Sequence, residues 1–169
     1  MRLLLIVLLL WTSTASAQQQ DPHADADAVR AFIDGSAVPC QTRAAQACVD
    51  AGFRFAARDP RKGLTLDDVR TLRRRLGAWY GQRYAELAMR ERGAIGLGLL
   101  LADGLGVERL HQAFDSNGDG SVTQKELLAD IKLDSRPLGV VLIDPVAVDR
   151  AGLARRLGLP PGLVDRLFQ

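Results

Sequence analysis

Histidine, cysteine and methionine are scarce in this chain, which has only two of each among its 169 residues. The sequence has no H-E-x-x-H, G-x-S-x-G or P-loop motif, and its cysteines do not have the spacing of a zinc site. Nucleophilic catalysis needs a nucleophile, a base and an orienting group, and no such set can be assembled here. The net charge of +2 is also too small to predict nucleic acid as the main partner. The sequence therefore predicts a protein that is not an enzyme.

The first residues have the composition of a secretory signal peptide. One arginine is followed by an apolar run from Leu3 to Trp11, and then by small residues that end in Ala15-Ser16-Ala17. This pattern predicts a signal peptide over residues 1–17, cleaved after Ala17, and a periplasmic or secreted protein. The apolar run is too short to span a bilayer comfortably. No transmembrane segment is expected in the chain that remains after cleavage. Residues 18–24 are polar and are predicted to form a disordered leader.

Cys40 and Cys48 are the two cysteines, and export would place them in an oxidising compartment, where disulfides persist. Eight residues along one continuous helix would separate their Cα atoms by about 12 Å, whereas a disulfide needs less than about 7 Å. A bond therefore requires the chain to fold back before the following helix, near residues 39–42. Two buried free thiols are the alternative, and the even number of cysteines favours the disulfide.

A short polar segment, DSNGDGSVTQKE at residues 115–126, gathers three carboxylates and two carboxamides between two apolar stretches. Mutual repulsion makes such a cluster costly unless a cation offsets it. Oxygen-bearing side chains fall at positions 1, 3, 5, 7, 9 and 12 of the segment, Gly120 at position 6 and Val122 at position 8. This spacing resembles the calcium loop of the EF-hand family. The metal ligands that the resemblance implies are Asp115, Asn117, Asp119, Ser121, Thr123 and Glu126.

The resemblance also implies a fold. Apolar residues recur at helical spacing on both sides of the loop, and after the loop they continue as far as Ile131. This predicts an intact helix–loop–helix unit, one EF-hand, over residues 105–133. One helical domain is expected over residues 25–169, and its fold class is expected to be all-α. It would contain an EF-hand pair, with one intact and one degenerate calcium loop, and additional helices. One Ca²⁺ is expected per chain, and Glu126 would close its coordination sphere with both carboxylate oxygens.

Residues 57–68 are similar to the same loop without its ligands. Aligning Leu64 with Val122 at position 8 puts Asp68 at position 12, but basic residues at positions 5 and 6 would repel a cation. The segment predicts a degenerate hand over residues 44–76. Hands of this family usually pair through a short β-contact between their position-8 residues, so Leu64 and Val122 are expected to be in contact.

The remaining segments give weaker signals. Residues 134–145 contain the apolar run GVVLI, which predicts a short strand or an extended connector. A helical hairpin is expected over residues 146–168. Residues 148–153 partly match the end of the loop pattern, so a third degenerate EF-hand remains an alternative there. Four clustered arginines indicate either a solvated helix face or a surface for an acidic partner or an anionic membrane. They are Arg70, Arg73, Arg74 and Arg75.

Calcium binding by an exported protein is the function that these features predict. Two roles remain open: a structural or buffering module that calcium holds folded, and an interaction protein whose surface for an unidentified partner depends on calcium. A dockerin-like module binds a partner through a similar loop, but it needs two such loops close together. A calcium-dependent hydrolase is a further alternative, and no catalytic residues support it.

Overall fold

The computed structural model describes residues 21–160 and 162–164, and most of them are helical, which confirms the predicted all-α class. The predicted signal peptide, residues 1–17, lies outside the described residues. In the part of the chain that is described, no helix has both the length and the apolar character needed to cross a membrane. In chain order the elements are α1 (Pro22–Thr42), α2 (Ala45–Ala56), β1 (Leu64–Thr65), α3 (Leu66–Arg83), α4 (Met89–Leu105), α5 (Val107–Phe114), β2 (Ser121–Val122), α6 (Gln124–Leu127), α7 (Leu138–Ile143) and α8 (Arg150–Leu157).

Helix α1 starts inside the segment predicted as a disordered leader, residues 18–24. Asp21 caps it by accepting a 2.9 Å hydrogen bond from a backbone N–H two residues on, and Pro22 opens the first turn. The helix then continues through Gly35. A glycine inside a helix costs about 1 kcal/mol relative to alanine. The long contact that α1 makes along α3 offsets this cost.

Cys40 near the end of α1 and Cys48 in α2 form a disulfide, with their Cα atoms 4.8 Å apart. The chain reverses at Arg43 and Ala44, between the two helices, so the turn follows the predicted segment 39–42 instead of lying inside it. This geometry is compatible with the predicted bond. It also rules out one continuous helix through both cysteines, because the two side chains sit on separate helices.

Removing the disulfide is expected to destabilise the domain. Replacing both cysteines by alanine should lower the free energy of unfolding by about 2 to 3 kcal/mol, because the bond restricts the unfolded chain over a loop of roughly ten residues. Urea denaturation of the two proteins measures this difference. Thiol labelling of the unfolded, unreduced wild type should detect no free thiol, and two labelled thiols would contradict the bond.

The four clustered arginines pair within the chain. Their nitrogens lie between 2.5 and 3.5 Å from carboxylate oxygens of other helices. They therefore fasten α3 to three neighbouring helices, an arrangement that neither interpretation of the sequence included. The pairs are Arg70 with Glu108 of α5, Arg73 with Asp103 of α4, and both Arg74 and Arg75 with Asp25 of α1.

Small clusters of buried apolar side chains form the core. One joins Phe53 of α2 to Leu64 and Val122 of the two strands, so it lies directly beneath the paired loops. Another joins Ala45 at the start of α2 to Val141 of α7. Helix α2 therefore packs against the strands of both loops on one side, and against the C-terminal part of the chain through its first residues.

Helix α7 occupies the segment where the sequence predicts a strand or an extended connector, so that prediction was wrong. Five consecutive apolar residues have no periodicity that distinguishes a strand from a helix. The helical conformation turns Val141 fully into the core and leaves Val140 and Ile143 exposed. Tertiary contacts with α2, which are invisible in the local sequence, decide the conformation.

After α7 the chain returns towards the loops. Val148 forms an antiparallel bridge with Ile131, and Asp149 caps α8 by accepting a 2.8 Å hydrogen bond from a backbone N–H in its first turn. Of the hairpin predicted over residues 146–168, helix α8 and residues 162–164 are helical in the described part of the chain. The bridge between Ile131 and Val148 is one of the contacts that connect this region to the segment following α6.

Candidate metal centre

The two loops singled out in the sequence, residues 57–68 and residues 115–126, lie side by side. Strand β1 pairs antiparallel with β2 and places Leu64 opposite Val122, so the predicted contact between the position-8 residues is confirmed. Both side chains are buried. His111 of α5 is buried as well, and its Nε2 lies 3.0 Å from the carbonyl oxygen of Leu64. The helix that precedes one loop is thereby tied to the strand of the other.

Each loop ends in the same hydrogen-bonded cap. The N–H and hydroxyl of Thr123 donate to Glu126 Oε2 at 2.9 and 2.7 Å, and the N–H of Glu126 donates back to Thr123 Oγ1 at 3.3 Å. In the 57–68 loop, the N–H and hydroxyl of Thr65 donate to Asp68 Oδ2 at 3.0 and 2.8 Å, and the N–H of Asp68 donates back at 3.2 Å. These capping boxes start α6 and α3. The chain therefore uses one local structure twice.

The side-chain oxygens at positions 1, 3 and 5 of the 115–126 loop converge. Asp115 Oδ1 and Asn117 Oδ1 both accept hydrogen bonds from the N–H of Asp119, at 3.1 and 2.9 Å. Asn117 Nδ2 donates to Asp119 Oδ2 at 2.8 Å, and the N–H of Gly120 donates to Asp115 Oδ2 at 2.9 Å. Gly120 has a φ of +85°, in the left-handed region that favours glycine. The sharp turn at position 6 thus brings three candidate ligands together.

Glu126 is buried, with 8 % of its surface exposed, and its carboxylate reaches back to the start of the loop. Its Oε1 accepts hydrogen bonds from the N–H and hydroxyl of Ser116 at 3.1 and 3.0 Å and from the N–H of Asn117 at 3.3 Å. The hydrogen bond from the N–H of Thr123, followed by that from its hydroxyl, lowers the pKa of Glu126 to about 2. The carboxylate is therefore ionised at neutral pH.

The other two candidate ligands are placed differently. The N–H of Ser121 donates to Asp119 Oδ1 at 2.9 Å, whereas the hydroxyl of Thr123 is engaged by Glu126 in the cap. In residues 21–160 and 162–164, no group of three or more His, Cys, Asp or Glu side chains is arranged by itself to hold a metal ion. A site in this loop would also draw on amide and backbone oxygens. Such a mixed, all-oxygen donor set fits a hard cation such as Ca²⁺.

The helix that follows the 115–126 loop is shorter than predicted, because α6 ends at Leu127 and does not continue to Ile131. Ile131 instead bridges to Val148, so the chain leaves the helical path to join the C-terminal segment. Arg156 of α8 holds this turn by donating from Nη1 to the carbonyl oxygen of Glu126 at 2.9 Å. A tertiary contact thus ends a helix that the local apolar spacing would have extended.

In the 57–68 loop, a guanidinium group lies beside the position-12 carboxylate. Arg58 Nε donates to Asp68 Oδ1 at 3.0 Å, and Arg58 Nη2 contacts the carboxylate of Asp67. Asp68 is only 3 % exposed. Burial alone would raise the pKa of Asp68, but hydrogen bonds from Arg58 and from the capping threonine outweigh burial and lower it. Sequence reasoning missed Arg58, and its only signal was its position, the place that Ser116 takes in the other loop.

No model of a protein family, no curated protein and no solved structure matches this chain. Interpretation of the site therefore depends on the chain's own geometry. Of the six predicted ligands, the structure brings the side chains of Asp115, Asn117 and Asp119 together. The carboxylate of Glu126 reaches the same segment by accepting from the backbone N–H of Asn117. The side chain of Thr123 is directed to the helix cap.

Proposed function

We propose that this protein binds one Ca²⁺ in the 115–126 loop, as an EF-hand pair in which only one loop takes the ion. The proposal is supported above all by the convergence of the Asp115 and Asn117 oxygens on the N–H of Asp119. The carboxylate of Glu126 supports it as well, because it accepts from the N–H of Asn117 in the same turn. Backbone N–H groups orient these oxygens in advance. The loop would therefore exchange hydrogen bonds for metal contacts with little change of its path.

The candidate ligands would share the coordination of the ion. Calcium takes about six to eight oxygens and accepts carboxylates, amides, backbone carbonyls and water. Bound Ca²⁺ would offset the mutual repulsion of three carboxylates, which the hydrogen bonds of the loop offset only in part. Asp115, Asn117 and Asp119 would supply side-chain oxygens, Ser121 its carbonyl oxygen, Thr123 a contact through water, and Glu126 both carboxylate oxygens.

The short helix after the 115–126 loop favours a structural or buffering role over a sensor role. Calcium sensors open by changing the angle between two helices. Here α6 has only 4 residues, and Arg156 both donates to the carbonyl oxygen of Glu126 and pairs with Asp130 at 2.9 Å. These contacts restrain the segment that would have to move. The signal-like first 17 residues support a place for this role in the periplasm or outside the cell.

Calorimetric titration of the metal-free protein is expected to find one calcium ion per chain. The 57–68 loop should take none, because Arg58 already lies at its position-12 carboxylate. An apolar dye should gain little fluorescence when calcium is added, since a structural site exposes little new apolar surface. Two comparable sites would refute the assignment of the 57–68 loop, and absence of binding would refute the proposed function. A large calcium-dependent dye signal would favour the interaction role.

A further inference from the structure

We infer, on the basis of the proposed function, that Arg58 replaces the cation in the 57–68 loop and thereby raises the calcium affinity of the 115–126 loop. Arg58 is a positioning residue in this scheme, because its side chain contacts Asp67 and Asp68 and no candidate calcium ligand. Its influence would pass through the paired strands.

The two loops stabilise the buried carboxylate at position 12 in different ways. Each has a buried carboxylate at position 12, which accepts hydrogen bonds from the position-9 threonine and from the position-2 N–H. The position-2 distances are 3.1 Å from Ser116 N to Glu126 and 3.4 Å from Arg58 N to Asp68. Only in the 57–68 loop does a permanently charged cation, the guanidinium of Arg58, lie beside the position-12 carboxylate. Its planar fork is suited to bridge two carboxylates, here Asp67 and Asp68.

An unbroken series of contacts leads from Arg58 to the proposed calcium site. Arg58 holds Asp68, and Asp68 holds Thr65 through the capping box. Thr65 lies opposite Ser121 in the paired strands. The N–H of Ser121 then donates to Asp119 Oδ1 at 2.9 Å. A shift of β1 would therefore reach a candidate ligand through the strand pairing and one hydrogen bond.

Arg58 fixes β1 before calcium arrives. Without its guanidinium, the buried Asp68 loses its cationic partner, and the cap that holds Thr65 is weakened. Calcium binding would then have to order the 57–68 loop as well as the 115–126 loop. The free energy needed to order the 57–68 loop would reduce the net free energy of calcium binding. Loss of Arg58 should accordingly weaken a site that Arg58 does not touch.

The test compares Arg58→Gln with Arg61→Gln by calorimetric titration of the metal-free proteins. Arg61 is an exposed residue of the same loop, so each variant removes one positive charge. Loss of charge alone would leave calcium binding unchanged or strengthen it. We expect Arg58→Gln to bind calcium about five- to tenfold more weakly than the wild type, and Arg61→Gln to bind at least as tightly. The metal-free Arg58→Gln protein should also melt at a lower temperature.

A purely structural role for Arg58 would lower the melting temperature without changing the affinity, as long as the metal-free protein stays folded. Unchanged or tighter binding by Arg58→Gln therefore overturns the inference. If that variant does not fold without calcium, Arg58→Lys decides: intermediate affinity supports the inference, and wild-type affinity overturns it. Failure of the wild type to bind calcium overturns the proposed function as well, which distinguishes the two failures.

Discussion

Glu126→Gln is expected to abolish most of the rise in melting temperature that calcium produces in the wild type. At a free calcium level 100-fold above the dissociation constant, binding stabilises the folded state by roughly 2.7 kcal/mol. For a domain of this size that corresponds to about 5 to 10 °C. The variant keeps the shape of the side chain but loses its charge and its strong bidentate contact. Thermal unfolding with millimolar calcium and with a chelator measures both shifts.

The same substitution should also weaken the metal-free protein. One carboxylate oxygen of Glu126 accepts from Ser116 and Asn117, and the other from Thr123. The NH2 of the glutamine amide cannot accept hydrogen bonds, so the buried donors that face it would be left unpaired at a cost of about 1 to 3 kcal/mol. Lys125→Gln, an exposed neighbour in the same turn, is the control and should keep the calcium-dependent shift.

A Glu126→Gln protein that retains the full calcium-dependent shift would show that the ion is bound elsewhere. Magnesium provides an independent comparison. It demands a smaller, nearly ideal octahedron and gives up its water reluctantly. Magnesium at the same concentration should therefore raise the melting temperature of the wild type much less than calcium does.

Gly63→Ala is expected to lower the free energy of unfolding by about 3 kcal/mol. Gly63 has a φ of +96°, a conformation that side chains with a Cβ rarely adopt. A Cβ built at this position would lie 2.7 Å from the carbonyl oxygen of Val122 and 2.9 Å from its carbonyl carbon. The obstacle is backbone, which cannot rotate away as a side chain would. Relief would require the two strands to separate, and urea denaturation would measure the loss.

Gly98→Ala is the matched control for Gly63→Ala. Gly98 is an exposed residue within α4, and a Cβ there would have no atom within 4 Å. Because alanine favours a helix over glycine by up to about 1 kcal/mol, this variant should be as stable as the wild type or slightly more stable. Equal losses in the two variants would contradict the close approach of the 57–68 loop to β2.

Local sequence spacing predicted the parts of the structure that local contacts determine. The turn at Gly120 and the helical character of the chain follow from patterns within a few residues. The cap formed by Thr65 is equally local, because a threonine followed three residues later by an acidic residue can form a capping box. The pairing of Leu64 with Val122 joins distant residues, and only the resemblance to paired EF-hands implied it.

The features that the sequence did not predict depend on distant residues. The early end of α6 requires Val148 and Arg156, which follow it by about twenty to thirty residues. The conformation of α7 depends on contacts with α2, and the length of α1 depends on α3. Arg58 was missed for a different reason: a basic residue in a degenerate calcium loop indicates a lost site, and only its geometry reveals which carboxylates it serves.

The bond between Cys40 and Cys48 also bears on the order in which the molecule assembles. The two cysteines are separated by 8 residues, so they can meet as soon as both have emerged from a channel or ribosome. Closing so short a loop takes on the order of 10 to 100 ns, so the rate at which the bond forms depends on its oxidant and not on the encounter of the two cysteines. The main partner of α1 is α3, which begins only at Leu66. When an oxidant closes the bond while the chain is still emerging, the hairpin of α1 and α2 is fixed before α3 is present, and α3 then docks on two helices that are already joined.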